Sequence, residues 1–503
     1  MNETRLRRPS GRETGWRLLL VLLSAALVLL GSDATSPLYA TSPYRVQSPA
    51  VADATTFIVI GRYWLTEGVL PYRGLFDQKG PMLFLLQGLG WRLTGNVHGI
   101  CLLQILSVSA FSLLSYRLAR KRTAAPAAFG LTAFGLFVLA LIYGPGDNVE
   151  DFSLPFVALP LLGIESYLQT WYARGQAAHP PRWGLVYGLC IGWAAMTRFT
   201  DASTAAAGVL VIGLHLAAKK EWRNLGQNLL AGLLGLALAV LPFAAYFAAR
   251  GALADFWYGT VGFNLRYATN VVVSWLDQVD KKTAVKLCFY CLPVLLMLLR
   301  GLRSLRERRL LEGAFSLLSA GLALGFFLKS WGYYHYLINY VPLLIPAGAA
   351  LWEGRPEGKT GQKLLRGLLC AAAALTLALN LVQERNFFEN ESLVWKDREE
   401  PPYDRLIAQI PREDYDHVLF HDSAALIYLR WDIRPCCPYF TYQDWQAVVT
   451  PGMMDRILDS YRAADIRWLM TDNVPQPRIR QFLDEGFDRV DQSGSFTLYH
   501  RRA

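Results

Sequence analysis

The side chains in this sequence best suited to chemistry lie at the ends of long apolar runs. Asp53, Asp77 and Glu150 are carboxylates able to take a proton, and Lys79 and Arg198 are cations able to hold an anion such as a phosphate. Asp53 opens the stretch that runs to Gly68, in which Phe57, Ile60 and Trp64 recur at i, i+3 and i+7 and form one apolar stripe. That spacing predicts a short helix lying on a membrane surface, with Gly68 as its C-terminal cap. Asp53 then sits near the positive N-terminal end, where an ionised carboxylate is stabilised. A plain capping role for Asp53 fits the same spacing. Asp77 and Lys79 follow in the segment Pro71–Pro81, where a solvated ion pair in a surface turn is the simpler alternative.

Two further segments stand out. Asp147, Glu150 and Asp151 form an acidic lip with no basic residue among them, and clustered like charges raise one another's pKa. Water exposure of that lip is the bland alternative. Lys329–Tyr340 carries Tyr334 and His335 among further aromatics, which alone would read as an interfacial aromatic belt. Arg198 falls between two short hydrophobic runs, and charges so placed usually pair or line a site. No Walker A sequence, no G-x-G-x-x-G and no H-E-x-x-H occurs. Base-capable carboxylates beside phosphate-capable cations suit group transfer from a lipid phosphate to an acceptor.

The elements that must position these residues are membrane spans. Of the 503 residues, 53% are hydrophobic and only 18% charged, which excludes disordered, collagenous and disulfide-scaffold classes. About 20 apolar residues cross a bilayer core. Eleven runs approach that length: 16–31, 97–117, 124–143, 152–172, 183–197, 201–218, 225–248, 283–299, 311–328, 335–352 and 366–382. Pro81–Gly95 is a twelfth candidate, short for a span. If it is left out of the bilayer, alternate loops hold 23 Lys and Arg in 62 residues against 10 in 100. The basic set is then cytoplasmic. This predicts an interfacial helix at Pro81–Gly95, a cytoplasmic N-terminus on an uncleaved first span, and plasma-membrane residence. The segments bearing Asp53, Asp77, Lys79, Glu150, Arg198, Tyr334 and His335 all fall outside.

The net charge of +10 divides into +16 for residues 1–382 and −6 for residues 383–503. The excess labels cytoplasmic loops and is no nucleic-acid footprint. The expected organisation is a mainly α polytopic bundle over 1–382, with an external loop and interfacial helices at 32–96, followed by a small extracytoplasmic α/β domain over 383–503. Tyr403–Ile410 and Asp455–Ala464 read as helices there. The runs His417–Phe420, Ile466–Met470 and Phe496–Tyr499 read as strands. His421, Asp422 and Ser423 have the residue types of a hydrolytic triad, but as sequence neighbours they point apart. The seven cysteines show no metal-binding pattern, and Cys288 with Cys291 lies inside an apolar run.

The stretch Asp53, Trp64, Gly68, Pro71-Tyr72-Arg73, Phe76-Asp77 and Lys79-Gly80-Pro81 resembles the first external loop of the GT-C membrane glycosyltransferases. The resemblance is to the protein O-mannosyltransferase and lipid A aminoarabinose transferase superfamily, and it extends to Glu150 and to His335-Tyr336 before Pro342. It implies an enzyme that takes a sugar from a polyprenyl-phosphate donor to a hydroxyl on a lipid, glycan or protein. It also implies that Asp53 is the catalytic carboxylate. Asp77 and Glu150 would assist it, and Lys79, Arg198, Tyr334 and His335 would bind the donor phosphate. No cofactor is assigned; Asp53-Ala54 stands where some members carry paired acids, so dependence on a divalent cation is left open. The competing expectations are a transporter or lipid-linked sugar flippase, and a functional tail on a membrane anchor.

Overall fold

The structure, a computed structural model, describes residues 11–38, 49–144, 146–270, 281–329, 334–353, 359–394, 401–473 and 475–502. Helices dominate. In chain order they are α1 (Gly11–Gly31), α2 (Pro49–Glu67), α3 (Pro81–Thr94), α4 (His98–Ala119), α5 (Ala125–Tyr143), α6 (Val149–Arg174), α7 (Pro181–Ala195), α8 (Ser203–Ala218) and α9 (Trp222–Ala249). Then follow α10 (Leu253–Trp257), α11 (Phe263–Asn270), α12 (Lys281–Tyr290), α13 (Leu292–Arg306), α14 (Leu310–Lys329), α15 (Val341–Glu353) and α16 (Lys359–Val394).

Among the described residues, eight helical segments are long and apolar enough to cross a membrane, and the chain is an integral membrane protein. The other three runs expected to span fold as shorter pieces. Residues 183–197 form α7, 283–299 divide between α12 and α13, and 335–352 begin as a 3-10 segment, Tyr334–Tyr340, before α15. Two of these still reach across the bundle. The chain around α7 starts with the His179 ring 5.1 Å from Tyr167 and ends with Arg198 on Glu150, so it matches a stretch of α6 about 26 Å long. The segment leading into α15 bonds Asp201 through Asn339, and its last residue, Glu353, bonds Arg122 at the far end. Helix α3, the expected interfacial helix, is only 14 residues long.

Helix α2 exists where the apolar stripe placed it, but it does not lie on an open surface. Phe57, Ile60 and Trp64 are buried, and so are Ile58 and Val59 on the other side. One cover is α3. The helices cross at Gly61 and Gly88, where a Cβ on Gly88 would stand 2.3 Å from the Gly61 carbonyl oxygen. The other cover is the C-terminal domain.

That domain contains α17 (Pro402–Ile407), α18 (Leu426–Trp431), α19 (Gln443–Val449), α20 (Met453–Ala463) and α21 (Pro477–Gly486). They surround a sheet of β1 (Val418–His421), β2 (Trp468–Asp472), β3 (Phe487–Ser493) and β4 (Phe496–Arg501), in the order β1-β2-β4-β3. β1 and β2 are parallel, in register from Val418↔Trp468, and the other pairs are antiparallel. The three strands expected from apolar runs are β1, β2 and β4. β3 is missed because it is an edge strand of mostly exposed polar residues. Side chains alternate along β1. Val418 and Phe420 join an apolar core shared with α2 and α3, while Leu419 faces the layer of α20 and α21. The shared core means that the domain completes the burial of the first loop.

Candidate active site

The loop between α2 and α3 places Asp77 and Lys79. Tyr72 takes a left-handed conformation (φ 70°), and its N–H donates to the Leu75 carbonyl at 2.7 Å, closing a tight turn. The Tyr72 hydroxyl then donates to the Lys79 carbonyl at 2.8 Å. From outside, the Phe76 N–H donates to the Pro438 carbonyl at 2.9 Å, and Asn264 Nδ2 donates to the Gln78 carbonyl at 2.8 Å. The C-terminal domain and the α11 segment thus grip the loop on both sides of Asp77.

Gly80 provides the decisive contact. Its N–H donates to the Thr197 carbonyl at 2.8 Å, and the Met82 N–H donates to the Met196 carbonyl at 2.9 Å. The backbones lie so close that a Cβ on Gly80 would stand 2.1 Å from the Met196 carbonyl carbon. Only glycine permits this approach. It joins the first loop to the segment after α7, so Lys79 lies one residue before the staple and Arg198 one residue after it.

Arg198 is held on three sides. Nη1 donates to Glu150 Oε1, Nε lies 3.8 Å from Asp201 Oδ1, and the guanidinium carbon stands 3.8 Å from the centre of the Tyr336 ring. Asp201 is itself fixed by Asn339 Nδ2 at 2.5 Å. Lys79 Nζ lies 3.8 Å from Asp77 Oδ1 and 5.2 Å from the Phe57 ring centre. Burial favours a neutral amine, but Asp77 and Asp53 outweigh it and hold the Lys79 ammonium above its ordinary value. The side chains of Lys79 and Arg198 are 15% and 12% exposed, so both keep a water-facing edge.

Asp53 lies in the first turns of α2 and is exposed. Its charge acts on Asp77, Lys79 and His335, which places these groups in one electrostatic neighbourhood. Glu150 is fully buried behind Arg198 and is not an open carboxylate. Tyr334 faces Tyr290, with ring centres 5.3 Å apart, while His335 stacks on Tyr336 at 4.9 Å. The ring that meets Arg198 is therefore Tyr336, two positions beyond Tyr334. Sequence reasoning missed Tyr336, Asp201 and Asn339 as supports. The available signal was the i, i+3 spacing of Arg198 and Asp201.

Among the described residues, no group of three or more His, Cys, Asp or Glu side chains could hold a metal ion. At this site Lys79 stands beside Asp77, and Arg198 occupies Glu150. The donor set does not fit a divalent cation bridging these acids.

In the C-terminal domain, His421 Nδ1 pairs with the Tyr461 hydroxyl at 2.8 Å, and Nε2 lies 3.3 Å from Asp444. Ser423 Oγ donates to the His421 carbonyl, so no triad forms. Asp414 accepts from Arg467 Nη1 at 2.7 Å and Trp468 Nε1 at 2.9 Å, which is a structural duty. All seven cysteines are free thiols.

The helical bundle, the loop helices and the small sheet domain define a polytopic membrane protein of the GT-C glycosyltransferase fold. A family model described as dolichyl-phosphate-mannose-protein mannosyltransferase matches residues 78–248, about a third of the chain. The structure of ArnT from Cupriavidus metallidurans bound to undecaprenyl phosphate is similar at a TM-score of 0.58 and 14% identity, covering 97% of this chain and 98% of that one. The apo form of the same ArnT gives 0.56 at 14% identity with the same coverage. The apo oligosaccharyltransferase of Archaeoglobus fulgidus gives 0.49 at 14% identity, covering 92% of this chain and 70% of that one. No curated protein matches in sequence. The resemblance read from the first loop is thus borne out at the level of the fold.

Proposed function

We propose that the chain is a glycosyltransferase that moves a hexosyl or pentosyl group from a polyprenyl-phosphate donor to a hydroxyl acceptor on a lipid, glycan or protein. The observation that carries this reading is the Gly80–Thr197 staple, which sets Lys79 beside Arg198 with Asp53 in the same electrostatic neighbourhood. Two cations side by side suit a phosphate. The ArnT structure with undecaprenyl phosphate supports a donor of that kind.

In the proposed step, Asp53 removes the acceptor proton as the oxygen attacks the anomeric carbon. The bond from that carbon to the phosphate oxygen breaks, and the configuration inverts. The leaving polyprenyl phosphate gains one negative charge, which Lys79 and Arg198 stabilise most strongly in the transition state. Glu150, Asp201 and Tyr336 hold Arg198 in place, and Asp77 holds Lys79. His335 lies beside the donor phosphate. No step runs through a metal ion.

The orientation follows from charge. The end of the bundle opposite the C-terminal domain gathers Arg120, Lys121, Arg122, Arg300, Arg303 and Arg309, the pattern of a cytoplasmic face. The site and the domain then lie outside, and the N-terminus lies inside. Mass spectrometry of cell-surface glycans and proteins, with and without the gene, tests the reading. It expects one sugar to disappear from one acceptor class, and an unchanged envelope would contradict it.

A further inference from the structure

The acidic lip splits into two functions. Glu150 turns to Arg198, but Asp151 leaves α6 about 100° further round the axis and faces the interior of the bundle. There it meets Asp147, whose left-handed backbone (φ 55°) turns it inward as well. Both carboxylates are buried, at 0% and 1% exposure, and among the described residues neither pairs with a Lys, Arg or His.

Their surroundings are rich in oxygen. Gln87 Nε2 donates to Asp147 Oδ1 at 2.8 Å. Asp151 Oδ2 accepts from Gln104 Nε2 at 3.2 Å and from the Asn148 N–H at 3.0 Å. Three oxygens remain without a donor: Asp147 Oδ2, Asp151 Oδ1 and Oε1 of Gln87, itself 0% exposed. The last is independent of the acids. An amide oxygen buried beside a carboxylate is a further acceptor next to the two acids, and among the described residues it receives no hydrogen bond. The Tyr143 hydroxyl, which accepts from Gln104 Nε2 at 3.2 Å, is the neutral donor beside Asp151.

Two buried carboxylates cannot both be ionised beside each other without a compensating charge. We propose that Asp147, Asp151 and Gln87 form a binding site for a hard divalent cation, distinct from the donor site at Asp53, Lys79 and Arg198. The charges balance, two negative against two positive, and all the free ligands are oxygens, as Mg²⁺, Mn²⁺ and Ca²⁺ prefer. The cation would tie the start of α6 to α3, and so hold Glu150, next to Asp151, in position for Arg198.

The test uses the purified full-length protein in detergent, freed of metal with a chelator, with Mn²⁺ as the probe. Binding is read by electron paramagnetic resonance and melting by a thermal scan. The wild type should bind one Mn²⁺ per chain and melt several degrees higher with it. Asp147→Asn/Asp151→Asn should bind at least tenfold more weakly and melt at the same temperature with or without Mn²⁺. Its melting in chelator should be no lower than that of the wild type, because a repulsion has been removed, and this shows that it folds. Gln87→Met, which keeps both acids, should weaken binding about tenfold. Asp53→Asn should bind Mn²⁺ normally, so failure of the transferase reading leaves this result unaffected. No saturable binding in the wild type, equal binding in the double variant, or binding lost in Asp53→Asn instead would each overturn the proposal.

Discussion

At the end of the bundle remote from the C-terminal domain, Glu312 accepts from Arg300 at 2.8 and 3.1 Å and from Arg122 at 2.9 Å, with Arg309 3.1 Å away. Arg122 also bonds Glu165 and Glu353, so every member of the cluster is shared by at least two others or packed against one that is. At the domain end the same residue types meet differently. Arg198 has Glu150 and Asp201, but the carboxylate paired with Lys79, Asp77, stands at 3.8 Å, and Asp53, whose charge also acts on Lys79, is exposed. The remote cluster ties α13, α14, α15 and the turn before α5 to α6, and each of Arg122, Arg300 and Arg309 stands within 3.1 Å of a carboxylate, although Arg300 Nη1 has no acceptor of its own among the described residues. The cluster at the domain end holds one cation rigidly and leaves a second cation and a carboxylate open to a ligand. Buried ion pairs and orphan polar atoms occur at both ends, and what marks the end with capacity for chemistry is a cation whose carboxylate stands off at 3.8 Å rather than within 3.1 Å.

Substitutions at the two ends should separate stability from turnover. Glu312→Ala leaves Arg300 and Arg122 buried without their shared partner and should cost about 3–5 kcal/mol of stability. A fall in melting temperature in detergent checks this, and an unchanged melting temperature would break the contrast. Arg198→Ala removes a cation proposed to stabilise the leaving phosphate and on that reading should lower turnover by about 10²–10³-fold. Release of polyprenyl phosphate from the donor by purified protein measures it. Gly80→Ala pushes the first loop off Met196 and should cost about 1–3 kcal/mol. It should also lower turnover, because Lys79 moves away from Arg198, and loss of stability alone would show that the staple is not positional. The smallest effect belongs to Asp414→Asn, about 1 kcal/mol or less. Hydrogen bonds from Trp468 and Arg467 hold the Asp414 carboxyl below its usual range. Its contribution is present above the unfolded carboxyl pKa of about 3.9 and is lost as pH falls through the lower folded value. Denaturation of wild type and variant at pH 6 and pH 3 should show the difference narrowing at the acid end.

Much of this arrangement is legible in the sequence, because span length and loop charge are coarse signals that survive without tertiary information. They place Asp53, Asp77, Lys79, Glu150, Arg198 and His335 at one end. What they cannot supply is direction. Glu150 and Asp151 are neighbours in one acidic run, yet one serves Arg198 and the other faces Gln104. Tyr334 and Tyr336 are alike in composition, and the 3-10 turn decides which of them meets the guanidinium. Gly80 reads as one of many loop glycines until the Met196 backbone is seen against it. The surface helix expected at α2 is covered because the C-terminal domain shares its core, a contact between segments more than 300 residues apart, such as the Tyr63 hydroxyl on the Ile433 carbonyl at 3.1 Å. The missing span lengths have a similar cause: α7 and α15 are flanked by polar turns that carry Arg198 and Asn339.

The most direct measurement compares wild type with Asp53→Asn in the release of polyprenyl phosphate from a radiolabelled polyprenyl-phosphate sugar, in membranes that contain the acceptor. The proposed role predicts a loss of about 10²–10⁴-fold in rate with unchanged expression and melting temperature. Full transfer by Asp53→Asn would contradict it.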